Sequence, residues 1–239
     1  MVEQVHFTEA WHRTFAGGHV GLLLVGPLDN GRQGTGLDAR KRVLAVELRE
    51  RYGEMTRKGL QRLPVLQAYR RYYRQFGKTY HVQLQLESVV HKGKGLPAVS
   101  PAVDACFAAE LETQLLTASH DADRLVAPVR VDASTGEEVL PMLNGRRKRV
   151  KADDMMMADG EGVVCTILYG QDGRTAVRKE TRRVLYVTYA PAGITREQVE
   201  GHHGALLRNV ALFAPEARVE GRVVVTAGEV DGWWTVDSG

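Results

Sequence analysis

The order of helix-like and strand-like patterns along the chain most strongly constrains its fold. Over residues 125–189, short runs rich in Val, Leu, Ile, Thr and Tyr are separated by turn residues, a pattern typical of strands. The segments before and after this block repeat their apolar residues at helical spacing. Helices segregated from a block of strands indicate an α+β fold. We therefore predict a single compact α+β domain in which a mixed or antiparallel sheet sandwich is flanked by helices.

Five strands are predicted inside this block, at residues 125–131, 138–143, 147–151, 162–169 and 183–189. Asn144-Gly145 suits a tight type I′ hairpin turn, because both residue types tolerate a positive φ. The apolar stretch His19–Gly26 predicts a buried strand near the amino terminus. Two closing strands are predicted at residues 217–226 and 229–236.

Two of the predicted helices lie before residue 80. Apolar residues share one helical face at residues 37–52 and again at 64–76. Gly53 and Gly77 directly follow these segments, where glycine commonly ends a helix. Residues 82–90 fit both the strand and the helix periodicity, and we favour a helix.

Two further helices have start signals. Ser100 and Pro101 precede a helix predicted at residues 101–118, since serine caps helices and proline suits the first turn. The residues of this helix expected to face the sheet are Cys106, Phe107 and Leu111. Thr195 and Gln198 form a capping box at the start of the last helix.

Composition excludes several classes of protein. The chain has 239 residues, of which 44% are hydrophobic and 26% charged, values typical of globular proteins and not of disordered or coiled-coil chains. The longest apolar stretch is too short to cross a bilayer, and residues 1–4 lack a signal-peptide pattern, so we expect no membrane partner. Cys106 and Cys165 do not form a Cys-x-x-Cys motif, which favours a reducing cytoplasm and gives no metal site. No cofactor motif is present.

Basic residues are clustered although the net charge is only +3. The run Arg146-Arg147-Lys148-Arg149 follows a predicted turn, and Arg70, Arg71 and Arg74 occupy the polar face of the 64–76 helix. Either cluster suits phosphate contacts with a nucleic acid, and either equally suits a solvated face. We assign any nucleic-acid contact to the 146–149 run.

Other polar residues have both a structural and a functional interpretation. Asp104 suits the first turn of a helix, where the helix dipole favours a carboxylate. His120 and Asp121, with Asp123 beyond them, are predicted at a helix end, where they suit a solvated loop, a proton relay or a metal. A turn after Tyr169-Gly170 is a hairpin or a ligand-binding loop whose polar residues are Asp172, Arg174 and Thr175.

Several short motifs occur in an order that resembles the B3/4 domain, the editing module in the β chain of bacterial phenylalanyl-tRNA synthetase. The motifs are Gly95-Leu96-Pro97, Ser100-Pro101 with Val103-Asp104, Asp121-x-Asp123, Leu143-Asn144-Gly145, Ala158-Asp159-Gly160-Glu161, and Gly170 with Thr175, Val177 and Thr181. The resemblance implies a B3/4-like core at residues 57–213, preceded by a strand and helix at 1–56 and followed by strands at 214–239. It also implies a sheet-lined pocket that admits a wrongly attached amino acid and hydrolyses its ester to tRNA.

The chain departs from the family at the editing residues. A gap-free count places Cys106-Phe107 where editing enzymes have a Thr-Asn pair, Ala118 where they have a histidine, and Ala176 where they have a glutamate. Ester hydrolysis needs a positioned water and donors for the oxyanion, which Phe and Ala side chains do not supply.

Two hypotheses follow from this departure. The first is a stand-alone editing-type domain that binds an amino acid or aminoacyl-tRNA end and, if it is an enzyme, acts as an aminoacyl-tRNA deacylase with an altered mechanism. The second is a non-catalytic small-ligand or RNA-binding module that kept the fold, and the missing polar residues favour it. His120 and Asp121 are the replacement catalytic candidates. The resemblance implies a ligand pocket formed by Asp104, Phe107, Tyr169, Gly170, Asp172, Arg174, Thr175 and Thr181.

Overall fold

The computed structural model describes residues 4–31 and 34–229, together with the backbone of residues 233–235. Its helices are α1 (Glu9–Thr14), α2 (Thr35–Tyr52), α3 (Arg57–Leu60), α4 (Pro64–Gln75), α5 (His81–Lys92), α6 (Pro101–Thr113) and α7 (Arg196–Ala211). Its first six strands are β1 (Gln4–Phe7), β2 (His19–Gly26), β3 (Leu116–Asp121), β4 (Val129–Ala133), β5 (Val139–Pro141) and β6 (Arg147–Arg149). The other strands are β7 (Met155–Asp159), β8 (Gly162–Thr166), β9 (Gly170–Gln171), β10 (Val184–Ala190), β11 (Arg218–Thr226) and β12 (Trp233–Thr235).

These strands form a mixed sheet, an antiparallel sheet and a separate hairpin. The mixed sheet has the order β12-β1-β4-β7-β8-β9, and within it β1 and β4 run parallel. The antiparallel sheet has the order β11-β2-β10-β3, and β5 pairs with β6. The predicted α+β class is confirmed. The boundaries proposed at residues 57 and 213 stay predictions.

The antiparallel sheet lies at the centre of the molecule. Leu22 and Leu24 of β2 pack into one apolar cluster with residues of α2, α4 and the mixed sheet. Leu23 and Val25 point the other way and pack with α6 and α7. A strand buried on both faces requires a continuous apolar run, which is the pattern that residues 19–26 have.

Helix predictions are confirmed for α2, α4, α5 and α7, and the capping box of Thr195 and Gln198 is present. Gly77 has the positive φ of a helix stop, +67°, as expected. Gly53 directly follows the last residue of α2, as expected, but its φ is −57° and its backbone stays right-handed helical. The α2 helix therefore ends without a left-handed cap.

The predicted helix at residues 101–118 is too long. The helix α6 ends at Thr113, where Gln114 adopts a left-handed φ of +67°, and strand β3 follows. Leu115 and Ala118 have helical spacing, whereas Leu116 and Ala118 have strand spacing, and pairing of β3 with β10 decides in favour of the strand. Cys106 and Leu111 are buried as expected, but Phe107 is only half-buried and lies outside the apolar core.

The strand predictions were right about the block and wrong in some details. The predicted 125–131 strand begins only at Val129, and neither β1 nor the methionine-rich β7 was predicted. The 144–145 turn is not type I′, because Gly145 has a positive φ and Asn144 does not. Instead the Gly145 N–H donates to the Met142 carbonyl at 2.9 Å, which gives a three-residue loop with a left-handed glycine. The predicted strand at 217–226 is confirmed as β11. Of the strand predicted at residues 229–236, the structure shows β12 at Trp233–Thr235. Residues 230–232 and 236 lie outside the described part of the chain.

Candidate functional site

A pocket of about 510 Å³ lies where the first turn of α6 meets residues 177–179. Asn30, in the loop after β2, joins these two segments. Its Oδ1 accepts the Ala102 N–H at 2.9 Å, and its Nδ2 donates to the Arg178 carbonyl at 2.7 Å. Asn30 is buried, so these hydrogen bonds are shielded from water. The residues around the pocket include Asn30, Gly34, Asp38, Ser100, Asp104, Val177, Arg178 and Lys179.

A buried ion pair supports the wall of this pocket. Lys41 Nζ lies 2.5 Å from Asp104 Oδ2 and 3.7 Å from Asp38 Oδ1. Asp104 Oδ1 accepts the Val99 N–H at 2.8 Å. Both oxygens of Asp104 therefore have donors within the protein, whereas Asp38 is exposed and lines the pocket. Asp104 holds the start of α6 in place.

The pocket lining combines positive groups with the carboxylates of Asp38 and Asp104. Gly34 and Ser100, the residues that precede α2 and α6, both line it, and neither caps its helix with a side chain. Helix N-termini favour negative charge. Arg178 and Lys179 are exposed beside them, and no described carboxylate lies within ion-pair distance of either side chain. A ligand carboxylate or ester would meet positive potential here.

His120 lies in the protein interior and not in this pocket. Its Nδ1 is 2.7 Å from Thr175 Oγ1, and the Thr175 hydroxyl donates to Asp172 Oδ1. Because that hydroxyl proton is used, His120 Nδ1 must donate, which leaves Nε2 as an acceptor without a partner among the described residues. Burial lowers the pKa of His120 to about 3, so the ring is neutral near pH 7.

Asp121 lies on the opposite face of the same strand. Its Oδ2 accepts the Thr181 hydroxyl at 2.6 Å, and both residues line a smaller pocket of about 300 Å³. Successive strand residues point to opposite faces, so His120 and Asp121 cannot act on one substrate together. The expectation that they cluster at a helix end is wrong, because the segment is strand β3.

The loop between β9 and β10 is held by Arg174 and Asp172. Arg174 Nη2 lies 2.5 Å from Asp159 Oδ2, and its Nη1 donates to the Arg124 carbonyl at 2.6 Å. Asp172 accepts the backbone N–H groups of Arg174 and Thr175. These contacts are internal to the fold and fix the course of the loop toward residues 177–179.

Tyr169 and Gly170 lie at the other end of this segment, beside the β5–β6 hairpin. The ring centroid of Tyr169 is 4.6 Å from Lys78 Nζ and 5.2 Å from Lys148 Nζ. Gly170 has a φ of +80°, which requires glycine or a strained residue. Arg146, Arg147, Lys148 and Arg149 are all exposed on the hairpin.

The positions expected for editing chemistry carry no catalytic polar group. Cys106 is buried, its Sγ donates to the Thr117 carbonyl at 3.6 Å, and burial raises its pKa well above the usual value. Ala118 and Ala176 are buried as well. Phe107 is half-buried on α6. These four positions provide no imidazole, carboxylate or hydroxyl.

Comparison with known proteins identifies the family. A profile described as the B3/4 domain matches residues 66–203, more than half of the chain. The chain belongs to the B3/4 domain family. Over 91 residues, 38% of its length, this B3/4 domain is 29% identical to the phenylalanine–tRNA ligase β subunit of Tropheryma whipplei (strain Twist). That alignment covers 10% of the ligase subunit.

The comparison with solved structures gives a match of low sequence identity. A crystal structure of an N-terminal fragment of the phenylalanyl-tRNA synthetase β subunit from Pyrococcus horikoshii matches with a TM-score of 0.49 and 10% sequence identity. The match covers 94% of this chain and 56% of that fragment. The B3/4 domain thus spans a tenth of the curated relative and just over half of the solved fragment.

The structure separates the residues expected to share one pocket. Asp104 lines the pocket at the start of α6, and Thr181 and Asp121 line the smaller one. Asp172 and Thr175 surround the buried His120. The members that lie outside both pocket linings are Phe107, Tyr169, Gly170, Asp172, Arg174 and Thr175.

Sequence reasoning missed Asn30 and Lys41. Asn30 lies in a loop rich in Gly, Asn and Asp, where a buried amide has no distinguishing pattern. Lys41 did have a signal, because it lies on the apolar stripe of α2 between Leu37 and Leu44. A charged residue on a buried stripe predicts an oppositely charged partner, here Asp104.

The described residues show neither a metal cluster nor a membrane-spanning helix. They contain no group of three His, Cys, Asp or Glu side chains placed to hold a metal ion. Within the same ranges, no helix has the length and apolar character needed to cross a membrane.

Proposed function

We propose that this B3/4 domain binds an amino acid, or the aminoacyl end of a tRNA, in the pocket at the start of α6, and does not hydrolyse the ester. The observation that carries the proposal is the pocket of about 510 Å³ between the first turn of α6 and residues 177–179. Its volume suits an amino-acid-sized group. The relationship to a phenylalanine–tRNA ligase subunit supports the choice of ligand class.

The charges around the pocket match a zwitterion. The N-termini of α2 and α6, with Arg178 and Lys179, supply positive potential for a carboxylate or an ester carbonyl. Asp38 supplies an exposed carboxylate for an ammonium group. A ligand with both groups at one end and a side chain at the other fits this arrangement.

We expect no hydrolysis because of the side chains that the gap-free count places at the editing positions. These are Cys106, Phe107, Ala118 and Ala176, which supply no imidazole, carboxylate or hydroxyl to orient a water or stabilise an oxyanion. His120 cannot replace them, because it is buried, neutral and hydrogen-bonded to Thr175. Losing such donors reduces a rate by roughly a hundredfold or more.

Binding is tested by isothermal titration with phenylalanine, tyrosine and an aminoacyl-adenosine amide that resists hydrolysis. We expect Arg178→Ala to weaken binding at least tenfold, because it removes a positive group beside the pocket. Arg74→Ala is the matched control, since Arg74 is exposed on α4 and has no ion pair with a described residue. Binding that is absent, or equally unaffected by both substitutions, would contradict the pocket assignment.

Hydrolysis is tested separately with a panel of mischarged tRNAs. We expect the protein to release amino acids no faster than a buffer blank. Rapid deacylation that is lost in His120→Gln or Asp121→Asn would overturn the non-hydrolytic part of the proposal and place the chemistry on β3.

A further inference from the structure

The β5–β6 hairpin carries an uncompensated basic surface. Residues 139–151 contain five Arg or Lys and no Asp or Glu. None of these five side chains has a described carboxylate within ion-pair distance, although Arg149 Nε donates to the Gly136 carbonyl at 2.7 Å. Unpaired cations on a rigid element are available to an external anion.

Strand register divides the hairpin cations between two faces. Lys148 pairs with Leu140, which is fully buried, so both side chains face the body of the protein. Arg147 and Arg149 therefore point outward. Two residues along a strand they are about 7 Å apart, which is comparable with the spacing of successive phosphates along an extended nucleic-acid strand.

An aromatic ring lies next to these cations. Lys148 reaches over the half-buried Tyr169, and Lys78 from the end of α4 reaches the same ring. Lys151 Nζ donates to the Phe76 carbonyl at 3.0 Å, which ties the hairpin to the end of α4. We call the set Lys78, Arg146, Arg147, Lys148, Arg149 and Tyr169 the basic hairpin surface.

We propose that the basic hairpin surface binds single-stranded nucleic acid. Guanidinium groups suit phosphates because they donate two parallel hydrogen bonds. When Lys78 and Lys148 pair with phosphates, they leave the Tyr169 ring, and an unstacked base takes the freed face. A duplex cannot offer an unstacked base, and an anionic lipid surface has none. The inference rests on the hairpin and Tyr169, and it is independent of the pocket at the start of α6.

The experiment measures fluorescence anisotropy of a labelled single-stranded RNA of mixed sequence with the full chain. Substituting Arg146, Arg147, Lys148 and Arg149 by Ala is expected to weaken binding at least tenfold. The slope of log affinity against log salt should fall in magnitude by about 3, since each phosphate contact on a single strand contributes roughly 0.7. The matched control changes Lys58, Arg62, Lys92 and Arg218 to Ala, which removes the same charge from exposed positions elsewhere.

Tyr169 provides the test of base stacking. We expect Tyr169→Ala to weaken single-strand binding about tenfold and Tyr169→Phe to change it less than threefold, because phenylalanine keeps the ring. Circular dichroism and thermal unfolding establish that each variant is folded. The proposal is overturned if the chain does not bind RNA, if the control set weakens binding as much as the hairpin set, or if Tyr169→Ala has no effect. Preference for an RNA duplex, or for vesicles containing phosphatidylserine over RNA, would overturn it as well.

Discussion

The interior around β3 and the basic hairpin surface are both rich in ionisable residues, but these residues have different freedom to meet a ligand. Glu110, His120 and His202 are buried, and their hydrogen-bond partners belong to the protein. On the hairpin, the side chains of Arg146 and Arg147 are exposed and have no ion-pair or hydrogen-bond partner within the described chain. The buried Glu and His side chains around β3 therefore stabilise the fold, whereas the Arg and Lys side chains of the hairpin remain exposed to solvent.

The largest expected difference between buried and exposed charge concerns Lys41. Lys41→Ala leaves Asp104 buried without its cation, and we expect the free energy of unfolding to fall by about 3 kcal/mol. Urea unfolding measures this change. Arg13→Ala breaks an exposed pair with Glu9 and is expected to have no measurable effect. An equal loss of unfolding free energy in the two variants would show that the buried ion pair stabilises the fold no more than the exposed one.

A second expected effect is the pH dependence caused by Glu110. Burial raises the pKa of Glu110 from 4.5 to about 8, while its Oε1 accepts the Thr117 N–H at 2.8 Å. The folded state therefore keeps a proton that the unfolded state has lost, so this contribution to stability is full below pH 4.5 and is lost as pH rises to 8. The expected slope is about 1.4 kcal/mol per pH unit across that window.

Glu110→Gln sharpens the test, since it keeps the hydrogen-bond acceptor and removes the titration. Stability curves between pH 6.5 and 8.5 should be flatter for Glu110→Gln than for the unmodified chain. Glu200→Gln, which changes an exposed residue of α7, is the control and should keep the original slope. A slope that is identical in all three proteins would show that Glu110 is ionised in the fold.

The smallest expected effect is on the stability of the hairpin variant. Changing Arg146, Arg147, Lys148 and Arg149 to Ala should shift Tm by no more than about 2 °C, because the side chains are exposed and their contacts, such as the hydrogen bond from Arg149 Nε to the Gly136 carbonyl, compete with water. Differential scanning calorimetry measures this shift. A drop of 10 °C would mean that these residues stabilise the hairpin and are not kept free for a ligand.

The helices and strands that are marked by a pattern within their own residues were predicted correctly. The capping box at Thr195, the apolar run of β2 and the helical stripe of α4 all appear where the sequence placed them. Strand β3 was misread as the end of a helix because its identity depends on β10, which is some seventy residues away. Backbone pairing across such a distance leaves no trace in the periodicity of one segment.

The candidate site was predictable to a smaller extent. The junction between the start of α6 and the segment before Thr181 does contain a pocket, but most of the residues expected there lie elsewhere. Side-chain placement in loops depends on long-range hydrogen bonds such as those of Asn30 with Ala102 and Arg178. Nothing in the sequence around Asn30, Ala102 or Arg178 indicates that these residues contact one another.

The central place of β2 has a consequence for which part of this protein can fold alone. The segment 66–203 that matches the family contains β3 and β10 but lacks β2 and β11. Without β2, one long edge of β10 would lose its partner, and the apolar residues on both of its faces would lose neighbouring strands. An excised 66–203 fragment would therefore expose unpaired backbone N–H and C=O groups at the edge of β10 and would self-associate through them. The recognisable family segment is smaller than the cooperative folding unit, which includes residues on both sides of it.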